Sequence, residues 1–247
     1  DARGVKDGLG LLAELGAINS AKDKSVRLTA IGKNLARLPM EPRFARMLIE
    51  SKNHGLVREV MVIVAGLTIQ DPRERPIEKR EKADLLHARF TDPTSDFLTL
   101  VNLWNHLEGQ QAKLSSSAFR KLCKAEYLNF LRIREWQDLV KQLKLVSKPL
   151  GLDYGPARVN PDGIHKSVLA GLLSQLVLLQ DQKQKFVNGK PVRQKTSREY
   201  LGSNGKKFVV FPGSALAKKP PEALMSAELV ETSRLFARMN AAVEPAW

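Results

Sequence analysis

Leu28 to Leu48 reads LTAIGKNLARLPMEPRFARML, and this stretch divides the first part of the chain. Thr29 stands where a side-chain oxygen would cap a helix, so a short helix is expected over Ala30–Leu38. Leu35 and Leu38 are its core side. Leu38-Pro39-Met40-Glu41-Pro42 then turns the chain into a new helix, with Pro42 in its first turn, where a missing N–H costs nothing. On that helix Phe44, Met47, Leu48 and Ser51 share one face.

Upstream, Val5, Leu9, Leu12 and Leu15 recur at a helical period, and Gly16 sits where a left-handed cap would end the helix. Downstream, Leu56 to Leu67 (LVREVMVIVAGL) is apolar nearly all round and too short to cross a bilayer, which reads as a central buried helix. Gln70 to Pro76 (QDPRERP) breaks the pattern with two prolines. A charged helix follows over Lys79–Phe90 with Ala83, Leu86 and Phe90 inward, and another places Phe97, Leu100, Val101 and Trp104 inward. After Ser115-Ser116-Ser117 one long helix is expected over Ala118–Leu145, its stripe being Phe119, Leu122, Tyr127, Phe130, Ile133, Leu139 and Leu143. Trp104 and Trp136 read as core anchors rather than stacking platforms, although Trp136 falls off that stripe, which leaves partial exposure open for it.

The character changes after the Gly- and Pro-punctuated run Gly151–Pro161 and a helix at Ile164–Leu173. Gln175–Leu179 is strand-like. Asn188-Gly189 is a hairpin signal, and Ser203-Asn204-Gly205 a second turn between Tyr200-Leu201 and Phe208-Val209-Val210-Phe211. Leu224–Thr232 and Leu235–Ala242 supply further strands, the latter ambiguous with helix. Short strands at regular turns imply a small barrel.

The formal net charge is +14, an electrostatic footprint for polyanions or simply a basic, solvated surface. The excess is spread out: residues 1–150 carry 26 basic and 18 acidic side chains, and residues 151–247 carry 14 and 8. One cysteine, Cys123, on an apolar helical face, excludes a disulfide framework and reads as a reduced, buried thiol in a cytoplasmic protein. His54, His87, His106 and His165 are far apart and make no ligand pair. No phosphate-cradling Gly-Lys-Ser/Thr occurs: Gly32-Lys33 is followed by Asn34, Gly189-Lys190 by Pro191, and Gly205-Lys206 by Lys207.

Four segments in fixed order carry a family resemblance: Leu28–Leu48, Gln70–Pro76, Ser95–Leu107 (SDFLTLVNLWNHL) and Phe208–Pro221 (FVVFPGSALAKKPP). Together they resemble the accessory region of DEAH-box RNA helicases, and Ala227–Trp247 (AELVETSRLFARMNAAVEPAW) looks like the bacterial branch. The resemblance implies a multidomain α+β chain, with a mainly α-helical winged-helix and helical-bundle part followed by a small OB-fold β-barrel. The expected domains are a winged helix over 1–40, a ratchet-like bundle over 41–150, and an OB-fold domain with a leading helix over 151–247. It further implies a piece of a longer ATP-dependent helicase, in which RecA-like motor domains hold ATP and Mg. This segment itself is expected to bind no cofactor or metal and to have no catalytic residue. The partners implied are single-stranded RNA, the chain's own motor domains and an activator protein; no membrane is expected. A motor-less RNA-binding adaptor and a docking platform for an activator are the alternatives.

Candidate RNA contacts follow. Lys206 and Lys207 flank a hairpin turn, as phosphate contacts or as a solvated, aggregation-resistant edge. Lys218 and Lys219 follow the Phe-Pro-Gly-Ser turn. The resemblance implies that Ser214 donates to a phosphate; an ordinary turn serine would bond its own backbone. Arg193, Lys195 and Arg198 form a basic run ending at Tyr200, as single-strand binding uses, or a mobile basic hairpin. Arg73 and Arg75 either contact the nucleic-acid backbone or pair with Asp71 and Glu74, the pairing being favoured because loops between helices usually fix geometry that way. Asp96, Thr99 and Asn102 either face an RNA channel or, for Asp96, serve the helix dipole, with Thr99 in solvent.

Overall fold

A computed structural model describes residues 2–20, 25–179, 186–187, 190–191, 199–202, 205–232, 234–244 and 246–247. The chain divides into two compact units, Asp1–Thr91 with Phe97–Gly171, and Asp92–Asp96 with Leu172–Trp247.

The first unit is helical. Helix α1 spans Ala2–Glu14, as the period of Val5, Leu9 and Leu12 implies, and none of its residues is buried; Val5 is exposed. Gly16 ends it at φ +69°. A short antiparallel ladder joins Ile18 to Leu28. Thr29 caps α2 (Ala30–Leu35), its hydroxyl accepting from Gly32 N–H. Leu35 and Leu38 are buried. Pro42 opens α3 (Pro42–Asn53), whose inner face is Ala45, Met47, Leu48 and Ser51.

Helix α4 (Val57–Thr68) is the centre of this unit: Val57 through Ala65 are all buried, and α3, α8 and α9 pack around it. That run includes a charged pair. Arg58 donates to Glu59 (3.2 Å), Asn105 (2.7 Å) and Glu108 (2.6 Å), and the Arg158 backbone N–H donates to Glu59 (2.9 Å). Charges removed from water persist only with such partners.

The Gln70–Pro76 loop holds Arg73 bidentately on Asp71 (3.0 and 2.7 Å). Arg75 pairs with Asp84 (2.5 and 2.6 Å) rather than Glu74, which instead accepts from Asn129 (2.7 Å). A residue one helix away wins over the sequence neighbour, because α5 (Arg80–Ala88) presents Asp84 to the loop. Helix α6 spans Asp96–Gln111 with Phe97, Leu100, Val101 and Trp104 buried. Thr99 is buried too, not solvent-facing, and Asn102 donates to the Phe90 carbonyl (3.0 Å).

The long helix expected over Ala118–Leu145 is two helices, α7 (Ser116–Ala125) and α8 (Phe130–Ser147). Tyr127 breaks it at φ +54°, a left-handed value that ends a helix. The proline-rich loop lies along the break: Glu74 N–H donates to the Tyr127 carbonyl (2.8 Å) and Asn129 N–H to the Pro72 carbonyl (2.7 Å). Asn129 then caps α8, accepting from Arg132 N–H. The break resets the helical phase, so Ile133, Trp136, Gln137 and Val140 face inward. Trp136 is therefore fully buried; its indole donates to the Val62 carbonyl (2.9 Å) and meets Trp104 edge-on at 5.1 Å. Helix α9 (Pro161–Leu169) packs on α3 and α4.

The second unit is a closed five-stranded barrel. Its strands are β1 (Leu176–Leu179), β4 (Tyr200–Gly202), β5 (Lys207–Val210), β6 (Ala223–Glu231) and β7 (Leu235–Ala242). A separate two-stranded hairpin, β2 (Phe186–Val187) with β3 (Lys190–Pro191), lies between β1 and β4 in the chain. The barrel order is β1-β4-β5-β7-β6, closing back on β1. All pairings are antiparallel except β5 with β7. Val177, Tyr200, Phe208, Leu216, Leu224 and Ala237 fill the interior.

Candidate nucleic-acid interface on the barrel

The β4–β5 turn is built around Gly205, at φ +69°. Lys206 enters and Lys207 opens β5; both are exposed. Lys207 has Glu199 at 3.5 Å, a solvated pair worth little, while Lys206 has no carboxylate within ion-pair reach among the described residues.

At the other end of β5 the chain turns through Phe211-Pro212-Gly213-Ser214 into a short 3-10 turn, Ala215–Ala217. Asp96 organises this corner. Its carboxylate accepts from the Ser214 hydroxyl (2.5 Å), the Ala215 N–H (2.8 Å) and the Asn240 N–H (2.9 Å). The Ser214 oxygen in turn accepts from the Leu216 N–H (3.3 Å) and the Asn240 amide (3.2 Å). The Ser214 proton is thus committed to a protein carboxylate. Asp96 stands in the first turn of α6, as the dipole reading expects, and it also ties the Asp92–Asp96 segment to the barrel. Sequence reasoning missed this, since its partners lie more than a hundred residues away.

Lys218 and Lys219 follow this corner, both exposed and without an ion-pair partner among the described residues. Pro220-Pro221 comes next, and the Pro221 carbonyl accepts from the buried Tyr200 hydroxyl (2.5 Å). The two lysine pairs therefore occupy opposite ends of β5 and do not form one cluster. Four residues of strand span roughly 13 Å. Arg193, Lys195 and Arg198 lie outside the described residues. Their place in the chain is the connection between the first and second barrel strands, which also holds β2 and β3.

Among the described residues no group of His, Cys, Asp and Glu could hold a metal ion, and no helix is long and apolar enough to cross a membrane.

The barrel's strand order, read as 1-2-3-5-4 with strands three and five parallel, is that of an oligonucleotide-binding fold. Family models agree: residues 164–247 match an oligonucleotide/oligosaccharide-binding (OB)-fold, and residues 41–100 match a helicase-associated domain (HA2), ratchet-like. Together the matches support the C-terminal region of a bacterial DEAH-box RNA helicase, the part that carries these accessory domains. Over its whole length it is 48% identical to ATP-dependent RNA helicase HrpA of Escherichia coli and 44% identical to the HrpA homolog of Haemophilus influenzae, covering 18% of each. It is 26% identical to the human probable ATP-dependent RNA helicase DHX35, covering 32% of it. The chain thus spans less than a third of these relatives' length.

Proposed function

We propose that this chain is the RNA-gripping accessory region of a bacterial ATP-dependent DEAH-box helicase. It would hold single-stranded RNA while RecA-like motor domains, with ATP and Mg, do the work of hydrolysis in the cytoplasm. The observation that carries this reading is the barrel topology with its cationic second-to-third-strand hairpin. Strands two and three and the loop between strands one and two are where OB-folds take oligonucleotides. Here those elements are β4, β5 with Lys206 and Lys207, and the connection bearing Arg193, Lys195 and Arg198. Lys218 and Lys219 extend the cationic track past the far end of β5. Ser214 reaches a phosphate only by releasing Asp96, so its role in this reading is to hold the turn before Lys218.

Within the same reading, residues 1–40 form a winged helix, 41–150 a ratchet-like bundle and 151–247 the OB-fold domain. The packing of α9 on α3 and α4 supports grouping the leading helix with the bundle in this reading. The helices of the bundle would wall the RNA channel and keep the bases in step.

A second role is supported by a separate observation. Val5, Val26 and Leu28 are exposed and α1 buries none of its residues. An apolar surface on the N-terminal segment favours docking of the motor domains or an activator protein there.

The test is single-stranded RNA binding by fluorescence anisotropy across a salt series. Replacing Lys206, Lys207, Lys218 and Lys219 together by alanine should weaken binding and flatten the slope of log affinity against log salt, by about 0.7 for each phosphate no longer neutralised. The melting temperature should hardly move, since these side chains are exposed. Lys79, Arg80 and Lys82, also exposed, form the control set. Equal weakening by the control set would replace the barrel site with diffuse attraction to the whole basic surface.

A further inference from the structure

Alternation along the barrel strands sorts residues into two sets. Phe208, Val210, Leu235 and Ala237 serve the interior. Their neighbours Val209, Phe211, Phe236 and Arg238 consequently point outward. Register brings the outward set together: Val209 lies opposite Phe236 across the parallel β5–β7 pair, and Val230 and Glu228 lie opposite Phe236 and Arg238 on β6.

Within this face the two rings are fixed. Phe211 and Phe236 meet edge-to-face, with centroids 6.0 Å apart and planes at 88°. The Arg238 guanidinium sits 4.9 Å over the Phe211 ring. Glu228 lies 3.9 Å from Arg238, at the limit of an ion pair, and both side chains are solvated, so their attraction is weak. The turn is shaped around the ring as well: a side chain at Gly213 would start 2.9 Å from a Phe211 ring carbon. Even so, 37% of Phe211 stays in solvent. A lone exposed phenylalanine needs no explanation. One held by an orthogonal ring, a guanidinium and a glycine turn, yet left uncovered, is a rigid π-surface that has already given up its rotamer freedom.

We infer that Phe211, oriented by Phe236 and Arg238, is the stacking platform for one unpaired nucleobase of the bound strand, with Arg238 supplying the charge for the adjoining phosphate. Aromatic rings and arginine planes are the surfaces on which single-stranded RNA is read. The excess positive charge of the chain favours a nucleic acid over a protein as the occupant. The inference rests on the single-stranded RNA reading above and adds to it a base contact, which lysines cannot supply.

Stacking and phosphate contacts separate in one experiment. The 247-residue chain is titrated into single-stranded RNAs carrying 2-aminopurine at successive positions, and both anisotropy and base fluorescence are followed. The wild type should quench 2-aminopurine at a defined position. Phe211→Leu should bind about tenfold more weakly and abolish that quenching, with the salt slope unchanged, because stacking releases no counterions. Phe211→Trp should retain both affinity and quenching. Phe236→Leu should weaken both readouts less than Phe211→Leu does. Melting curves show that each variant is folded. Wild-type affinity and quenching in folded Phe211→Leu would overturn the platform and leave the lysine track standing. Absence of any RNA binding by the wild type would overturn the underlying reading and the platform with it.

Discussion

Asp96 and Ser214 stand 118 residues apart in the chain and 2.5 Å apart in space. One carboxylate at the first residue of α6 closes a corner of the barrel by accepting three hydrogen bonds. Asp96→Ala would leave the Ser214 hydroxyl and two backbone N–H groups without their acceptor. The expected cost is about 3 kcal/mol, against about 2 kcal/mol for Ser214→Ala, which keeps the two backbone bonds to Asp96 but takes the acceptor from the Leu216 N–H and the Asn240 amide. Urea unfolding of the two variants checks the order; equal costs would remove Asp96 from its central position.

Trp136 sits fully buried between α8 and α4. Trp136→Ala should cost about 4 kcal/mol through the cavity it opens. Trp136→Phe should cost about 1–2 kcal/mol, since it keeps most of the ring but loses the indole's bond to the Val62 carbonyl, which retains its helical partner. Denaturant midpoints with unchanged slopes would measure both.

Burial, followed by the charge of Glu126, pushes the Cys123 thiol up to about 11. Because the thiolate is the reactive form, a disulfide reagent at mildly alkaline pH should label the native chain far more slowly than the urea-unfolded chain. Rapid native labelling would contradict the burial of Cys123.

The hydrogen bonds and charge of Arg75 hold the Asp84 carboxyl below its usual value. A depressed folded value stabilises above the unfolded one, about 3.9, and the gain fades as pH falls through the folded value. Wild type should therefore exceed Asp84→Asn in stability at neutral pH and give up that margin as pH drops below about 4. Both partners are solvated, so the margin should stay under about 1 kcal/mol. A margin that grows on acidification would reverse the assignment.

Much of the local structure was legible because its causes are local. Thr29 and Pro42 mark helix starts, Gly16 a helix end and Gly205 a hairpin turn, each through backbone chemistry within a few residues. The break at Tyr127 was not read, because an apolar period continues through it and the loop that pairs with it lies some fifty residues upstream. Asn129 was the available signal, an asparagine three residues before a helical N–H it could cap. At the candidate site the lysines were visible as charge. Phe211, Phe236 and Arg238 were not visible as a group, because the parallel β5–β7 register that assembles them is a property of barrel closure.

The Asp92–Asp96 segment has a further meaning for how this region can be cut and made. The Thr94 carbonyl accepts from the Ala242 N–H (3.0 Å) and Ser95 bridges Ala241, so one end of the barrel is supplied from far upstream. A fragment beginning at Leu172 would contain every barrel strand and still lack the acceptor for Ala215 and Asn240. During synthesis that segment leaves the ribosome long before its partners and waits for the last strand. Folding of the barrel is thereby tied to contacts of high sequence separation, the slow kind. Recombination that exchanged the OB-fold as a cassette, with breakpoints on either side of its strands, would separate a carboxylate from the corner it was built to hold.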